Sequence, residues 1–321
     1  MKKLFCLALA LLLLTLSLSA LAEGKWTRSG DRRSEYVVLS DGSLSLKKHL
    51  YPDSEELVIP SRIDKKRVTE VSGLVIFIPL NGVTAVRSVT IPNSVRVIRE
   101  NPFALLTEAA EFRVKGTHPV FEVEDGALYD KQKQKLLAYP AAREGESLVI
   151  REGTVEIGEG AFTGCRYLTS VTFPDSLAGL SASPFTGCTA LTDFVVSADH
   201  PALKVEDGML FSQDGSTLLA YPLGDTRAAC TVPEGTRKIG ARAFASCENL
   251  MTVTVPEGVT EIGDEAFDLC LSLKAIYLPK SLTEMPSGAM YGCSPDLKVY
   301  VVRGSWAEKF CKQEKLKVGY Q

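Results

Sequence analysis

The chain has 321 residues, 45% of them apolar and 23% charged, which is the make-up of a folded protein and excludes a disordered one. Its formal charge is −3, with 36 basic residues scattered among 39 acidic ones. That balance excludes nucleic acid as a partner, because phosphate contacts need concentrated Lys and Arg.

At the N-terminus, Lys2 and Lys3 precede an apolar run from Leu4 to Leu16, and Ala20-Leu-Ala22 is a small-residue cleavage site. Residues 1–22 therefore read as an export signal cleaved after Ala22; an uncleaved N-terminal anchor is the alternative. Cys6 sits too early, inside the apolar run, to carry a lipid. No later stretch is long and apolar enough to span a bilayer, so a membrane enters only through this segment.

Residues 23–56 read as a β capping segment. Tyr36-Val-Val-Leu39 and Leu44-Ser-Leu46 flank Asp41-Gly42, a hairpin signal. Leu57-Val-Ile-Pro60 opens a repeating pattern that runs to residue 301. Its first coil is degenerate: Val68-Thr-Glu-Val71 keeps a strand, but Leu74 to Leu80 lacks the later aromatic and Cys positions. Val89-Thr-Ile-Pro92 starts a second coil, with Val95, Ile98, Phe103 and Leu106 at its apolar positions. A longer period is superimposed on the coils. His118-Pro119 recurs as His200-Pro201, Val123-Glu-Asp-Gly126 as Val205-Glu-Asp-Gly208, and Leu136-Leu-Ala-Tyr-Pro140 as Leu218-Leu-Ala-Tyr-Pro222, always 82 residues on. One composite unit has been duplicated, and each copy carries a hairpin insert, near 115–147 and 197–229. The second insert reads as strand, Asp214-Gly215 turn, strand. Because it interrupts the coils without supplying their apolar positions, its removal from Ser197 to Asp225 is expected to leave the fold intact. Lys131-Gln-Lys-Gln-Lys135 reads as the densest basic cluster and as a solvated hairpin tip.

The repeat is clearest from Thr231 to Cys293, in three lines set 23 residues apart. Pro233, Pro256 and Pro279 share a column, as do Ile239, Ile262 and Met285, and Phe244, Phe267 and Met290. Cys247, Cys270 and Cys293 form a fourth column; Phe162 with Cys165 and Phe185 with Cys188 fit the same scheme in two earlier coils. In each coil a short alternating strand such as Thr252-Val-Thr-Val255 ends at a Pro. A second extended piece, Val259-Thr-Glu-Ile262, follows. Then Glu265-Ala-Phe-Asp-Leu-Cys270 makes a helical turn that plugs Phe267 into the core. The fold class expected is a mixed α/β repeat solenoid of 23-residue, leucine-rich-repeat-like coils. It has short parallel strands, helical turns and inserted hairpins. Residues 302–321 form a C-terminal capping helix and tail, with Ser305 and Glu308 as a capping box and Trp306 and Phe310 on one face.

Ile262-Gly-Asp-Glu-Ala-Phe267, with Cys270, Leu273, Ile276 and Leu278-Pro279, resembles the BspA-type leucine-rich repeat of bacterial surface proteins. The inserts and the Gly304-Ser-Trp-Ala-Glu308 tail resemble it too, over roughly residues 35–321. The resemblance implies an exported or surface protein that binds other macromolecules, with no shared catalytic residues.

Five cysteines (Cys165, Cys188, Cys247, Cys270, Cys293) fall in one column and Cys230 at a strand position. They read as buried thiols acting as small hydrophobes. Parallel side chains give poor disulfide geometry, and the absence of any Cys-x-x-Cys pair counts against zinc. Of three histidines, His118 and His200 read as loop caps. No catalytic motif is present, and neither metal nor cofactor is expected. The function expected is therefore a secreted or cell-surface binding module, not an enzyme, whose partner is an extracellular protein or glycan. A structural, self-associating surface component is the alternative. The chain is expected to be a monomer. The exposed strand positions read Thr90, Thr172, Val195, Thr231, Thr254, Tyr277 and Tyr300, beside a row of Ser88, Ser170, Asp193, Thr252, Ala275 and Lys298. Tyr277 and Tyr300 stand out as a candidate ligand-binding pair, with Lys298 and Asp193 at its rim; the alternative is that the two rings stack on each other and shield the last coils near the cap.

Overall fold

The computed structural model describes residues 26–51, 54–79, 86–99, 101–132, 134–180 and 182–321. The leader, with Cys6, and residues 80–85 of the degenerate coil lie outside them. The chain divides into two compact units, Met1–Glu144 with Ile157–Cys165 and Gly145–Glu156 with Arg166–Gln321.

In the first unit, Ser34–Val38 pairs antiparallel with Leu44–Tyr51. The Asp41 carboxylate closes the turn between them by accepting from the Ser43 amide and hydroxyl at 2.9 and 2.6 Å. Leu44–Tyr51 then runs parallel to Lys66–Pro79, and Leu44, Leu46, Val68 and Val71 are fully buried. The hairpin is thus hydrogen-bonded into the stack. A second sheet pairs Glu56–Val58, Ser88–Ile91 and Glu111–Val114 in parallel, with Leu57, Val89 and Phe112 facing the core. Ser88, expected to be exposed, is buried, at 7% exposure. The densest basic run is Lys65-Lys66-Arg67, at the turn between Arg62–Ile63 and Lys66–Pro79. The charges of Lys131 to Lys135 are instead separated by glutamines, and Lys131 is tied back to the His118 carbonyl at 2.7 Å.

The second unit stacks its coils along two lines of parallel strands. One line comprises Ser147–Val149, Ser170–Thr172 and Asp193–Val195, and separately Ala229–Thr231, Thr252–Thr254, Ala275–Tyr277, Lys298–Val301 and Lys317–Tyr320. The other runs through Thr217–Ala220, Lys238–Ile239 and Glu261–Ile262. Cys230, Val253, Ile276 and Val299 fill one core row and Ile239 and Ile262 another. Alternation within three-residue strands is enough to send one side chain inward per coil.

The repeat solenoid is as expected; its helical turns are not. Among the described residues the regular elements are almost all short strands, with one α-helix, Trp306–Gln313, and a 3-10 turn at Ser287–Met290. The Ala-Phe-x-x-Cys segment is a chain of separate tight turns: the Ala243, Ala245 and Cys247 amides donate to the Gly240, Arg242 and Phe244 carbonyls. Left-handed residues separate the turns. The position before the Cys column has φ of +75° at Gly164 and Gly187, +66° at Ser246 and +55° at Leu269. Four residues earlier, Gly160, Arg242 and Glu265 are left-handed as well. Such residues end a right-handed helix.

The inserts depart from expectation more deeply. Thr217–Ala220 pairs with Lys238–Ile239 of the next coil, and Met209, Leu210, Phe211, Leu218 and Ala220 are fully buried. The Tyr221 ring stacks on Phe244 at 5.2 Å and its amide donates to the Ala243 carbonyl at 2.8 Å. The end of the insert is therefore packed as a coil and supplies apolar positions of its own, contrary to the expectation that it supplies none. Tyr139 does the same against Phe162, at 5.9 Å, with its amide on Ala161. The signal was present in the sequence, since Ala138-Tyr139 and Ala220-Tyr221 each lie 23 residues before an Ala-Phe pair.

At the C-terminus Ser305 accepts from the Glu308 amide at 3.1 Å, while Glu308 reaches the Gly304 amide at 2.6 Å. The helix buries Ala307 and Cys311; Trp306 and Phe310 stack on each other at 5.0 Å, half-exposed. The closing element also includes a strand that the sequence pattern does not reveal, Lys317–Tyr320, parallel to Lys298–Val301.

Tyr221→Ala is expected to cost about 3–5 kcal/mol, the range for truncating a buried aromatic that neighbours cannot replace. Removal of 197–225 should then abolish the cooperative denaturant transition of the second unit. A loss under about 1 kcal/mol for Tyr221→Ala, on the scale of a surface change, would show that the insert lies outside the core.

Candidate binding face

Outward positions on the strand line from Ala229 to Tyr320 form two rows. Register places Ala229, Thr252, Ala275, Lys298 and Lys317 in one, and Thr231, Thr254, Tyr277, Tyr300 and Gly319 in the other. Small and β-branched residues suit such a surface, so the C-terminal end of each row is the exception. The Tyr277 and Tyr300 rings are parallel within 14°, with centroids 4.7 Å apart, close to the spacing of their strands. The Lys298 ammonium lies 5.1 Å from the Tyr300 centroid. A Cβ at Gly319 would meet the Tyr300 ring at 2.7 Å and Lys298 Cε at 2.8 Å. Both side chains therefore lean over that glycine. Tyr300 is closed on one face by Tyr277 and on the other by Gly319 and Lys298. Tyr300 therefore presents its phenol edge and hydroxyl, with the Lys298 ammonium beside it, and not a free ring face.

Tyr277, Tyr300 and Lys298 are brought together. Asp193 is not. It lies on Asp193–Val195, in a separate three-stranded sheet, with its carboxylate accepting from the Thr192 hydroxyl at 2.6 Å. Membership of the same row of the repeat hid the separation. The step from Val195 to Thr231 is 36 residues in place of the usual 23, and the strand line breaks there.

The core residues of the repeat lie where the columns place them. Phe162, Phe185, Phe244 and Phe267 are at most 1% exposed, as are Cys165, Cys188, Cys247 and Cys270; Cys293 is half-buried. Phe244 and Phe267 stack at 5.0 Å and 9°. The thiols have a polar duty as well. Cys270 Sγ points at the Phe244 carbonyl at 3.2 Å and Cys293 Sγ at the Phe267 carbonyl at 3.0 Å, so a small side chain with a weak donor suits the column. All seven described cysteines are free thiols. Hydrogen bonding to the neighbouring thiol and burial both raise Cys270 and Cys293 well above the ordinary thiol value; burial pushes Cys230 up to about 12 and Cys311 up to about 11.

The histidines are occupied. His118 Nδ1 accepts from the Val120 and Phe121 amides at 3.2 and 3.0 Å and its Nε2 meets the Pro92 carbonyl at 3.1 Å. His200 repeats the arrangement with Ala202, Leu203 and Pro174. Burial lowers the His118 value, so the ring is held neutral as a loop brace. Ser34 Oγ lies 2.9 Å from His49 Nδ1, but Ser34 is only 3% exposed, out of reach of a substrate.

A buried carboxyl went unnoticed in the sequence. Asp268 is 1% exposed, and neither side-chain oxygen has a hydrogen-bond partner. Burial, and then the Glu265 carboxylate, raise it to about 7. Glu265 itself pairs with Arg242 at 2.7 Å. Nothing in the repeat pattern marks position 268 as inward, because the left-handed residues on either side turn it there.

Residues 138–204 and 227–303 match the model of the BspA type leucine-rich repeat region, in 6 copies. Those two stretches carry repeats of the BspA type. No curated protein matches the chain. Among solved structures, a leucine-rich repeat protein from Eubacterium ventriosum aligns with a TM-score of 0.52 at 18% identity, over 88% of this chain and 73% of that one; the likeness shows the fold. A leucine rich cell surface protein from Faecalibacterium prausnitzii aligns at 18% identity and a TM-score of 0.37, over 90% and 97%. Within the BspA-type coil, the Ala-Phe pair is where backbone and ring stacking coincide, and the Cys column is where a thiol meets the preceding aromatic carbonyl.

Two measurements check this picture. None of the seven thiols from Cys165 to Cys311 is expected to react promptly with a labelling reagent in the native protein, since six are buried and the half-buried Cys293 is held protonated, and all seven should react after unfolding; rapid native labelling of the whole set would contradict the buried column. For Asp268 the folded value, about 7, exceeds the ordinary 3.8. Its favourable contribution is complete below pH 3.8 and is lost as pH rises to about 7. Asp268→Asn should therefore match the parent near pH 4 and exceed it at pH 8, the gap widening by no more than about 1.4 kcal/mol for each step of one in pH. A difference independent of pH would contradict the assignment.

Proposed function

We propose that the chain is an exported binding module whose BspA-type coils hold the face around Tyr277, Tyr300 and Lys298 against an extracellular protein or glycan. The observation that carries this reading is the paired tyrosine edge with its adjoining ammonium, on a parallel sheet whose inward side chains are wholly engaged in the core. A rigid sheet supplies the preorganisation that an interface needs, and Tyr combines area with a polar tip at low entropic cost. The Lys2-Lys3 leader pattern and the repeat family support export. Among the described residues, no helix is long and apolar enough to cross a membrane. His118 and His200, held by backbone hydrogen bonds, are not available for acid–base work.

The test is to probe the immobilised protein with extracellular-matrix, mucin and cell-envelope fractions, identify a saturable partner, and repeat with Tyr277→Ser and Tyr300→Ser together. Binding should fall at least tenfold, with a melting temperature lowered by a few degrees, as expected for losing a half-exposed stacked pair worth about 1 kcal/mol. Unchanged affinity would remove the tyrosines from the interface, and collapse of the fold would make them structural.

A further inference from the structure

Charge in the second unit is concentrated at one end. Residues 166–296 hold eight basic and 16 acidic side chains, whereas 297–321 hold six basic and two acidic. The six cations, Lys298, Arg303, Lys309, Lys312, Lys315 and Lys317, are all exposed, while Glu308 and Glu314 are half-buried. Glu308 is engaged by Lys312, the Gly304 amide and the Tyr320 hydroxyl. Lys317 stands 3.8 Å from Asp296 and donates to the Pro295 carbonyl. Among the described residues, Lys298, Arg303, Lys309 and Lys315 have no carboxylate partner; Lys298 and Arg303 lie instead over the Tyr300 and Tyr320 rings.

The closing elements carry the cations in two groups at this end, Lys298 and Lys317 on the strands, and Lys309, Lys312 and Lys315 with the helix, beside Arg303 over Tyr320. Lys298 and Lys317 are register partners on adjacent parallel strands, so they leave the same face about one strand spacing, roughly 4.8 Å, apart. Lys309 and Lys312 share one turn of the helix that packs on Lys317–Tyr320. Earlier positions in the Lys298 row are Ala229, Thr252 and Ala275. Protection of an edge strand accounts for Lys317, and the helix dipole for Lys312. Neither accounts for the other four.

We propose that this end of the second unit binds a linear polyanionic polysaccharide carrying sulfate or carboxylate groups, an assignment that rests on the reading of the chain as an exported binding module. Charge complementarity selects the anion. The surface selects the polymer. Five of the six cations are lysines, whose compact ammonium groups on flexible stems accept anionic groups at varied spacing, unlike the fixed fork of arginine. Tyr300 is covered on both faces, leaving no free ring there on which a nucleobase could stack and no pocket for a protein's anchoring side chain. The exposed tyrosine hydroxyls and ammonium groups are what an acidic sugar can hydrogen-bond. The acidic remainder of the unit repels a polyanion, which confines it to this end.

The test titrates the full-length protein with heparin, a polyuronate, neutral dextran and duplex DNA at 50 and 200 mM NaCl. Both acidic polysaccharides should bind, dextran should not, and affinity should fall roughly 50-fold between the two salt concentrations, as for about three displaced counterions. Lys298→Ser, Lys309→Ser and Lys315→Ser combined should weaken binding at least tenfold with an unchanged melting curve. Lys65→Ser, Lys66→Ser and Arg67→Ser combined, which remove the same charge from the other unit, should leave it within twofold. The assignment is overturned by no binding of either acidic polysaccharide at 50 mM salt, by equal losses in the two triple variants, by dextran binding as well as they do, or by tighter binding of DNA. If polysaccharide binding is absent while a partner sensitive to Tyr277 and Tyr300 is still retained, the module reading stands and this assignment alone fails; absence of both removes both.

Discussion

Everything in the second unit depends on coils stacking in phase, and the interaction that keeps phase is the aromatic column. The Tyr221, Phe244 and Phe267 rings stack at 5.2 and 5.0 Å. In the same places the Tyr221, Phe244 and Phe267 amides donate to the Ala243, Ala266 and Ala289 carbonyls, each at 2.8 Å. One residue per coil thus supplies both ring contact and a ladder hydrogen bond. A coil cannot shift along the chain by one residue without losing both, which is why a 23-residue period survives while surface residues vary. The thiol column adds a weaker tie to the same aromatic carbonyls.

That scaffold carries strain and an unfavourable charge without losing its register. Arg242, Ser246, Glu265 and Leu269 are held left-handed, at about 1–2 kcal/mol each relative to a relaxed backbone. Asp268 is buried between two of them with no partner for its oxygens. Glycine occupies the equivalent left-handed position in other coils, at Gly164, Gly187 and Gly292, so the conformation belongs to the coil and not to the residue. Two lines of strands and the aromatic column over-determine the turn, and the side chains there accept what packing imposes.

The face that meets solvent follows from the same stacking. Strands a few ångströms apart set like residues side by side, so a repeated Tyr becomes a stacked pair and a repeated Lys becomes a row. Gly319 completes the arrangement by leaving room for Tyr300 and Lys298 to lie over the last strand. At the outer end of the stack this row and the helix offer a partner cationic and polar groups beside the half-exposed Trp306 and Phe310 pair.

By itself, the sequence determined the coil period, the identity of its inward columns, the strand positions, the hairpin turns and the helix cap, because each is written in residues close together or at a constant step. It determined the Tyr277, Tyr300 and Lys298 grouping for the same reason, one step of 23. Only the tertiary structure decided that the Ala-Phe segment is turns and not helix, that Asp193 belongs to another sheet, and that Asp268 is buried without a partner. Those outcomes depend on how the chain resumes its register across an insertion and on the sign of φ at Arg242, Ser246, Glu265 and Leu269. Local propensity favours neither, since the energy that selects them comes from contacts between neighbouring coils.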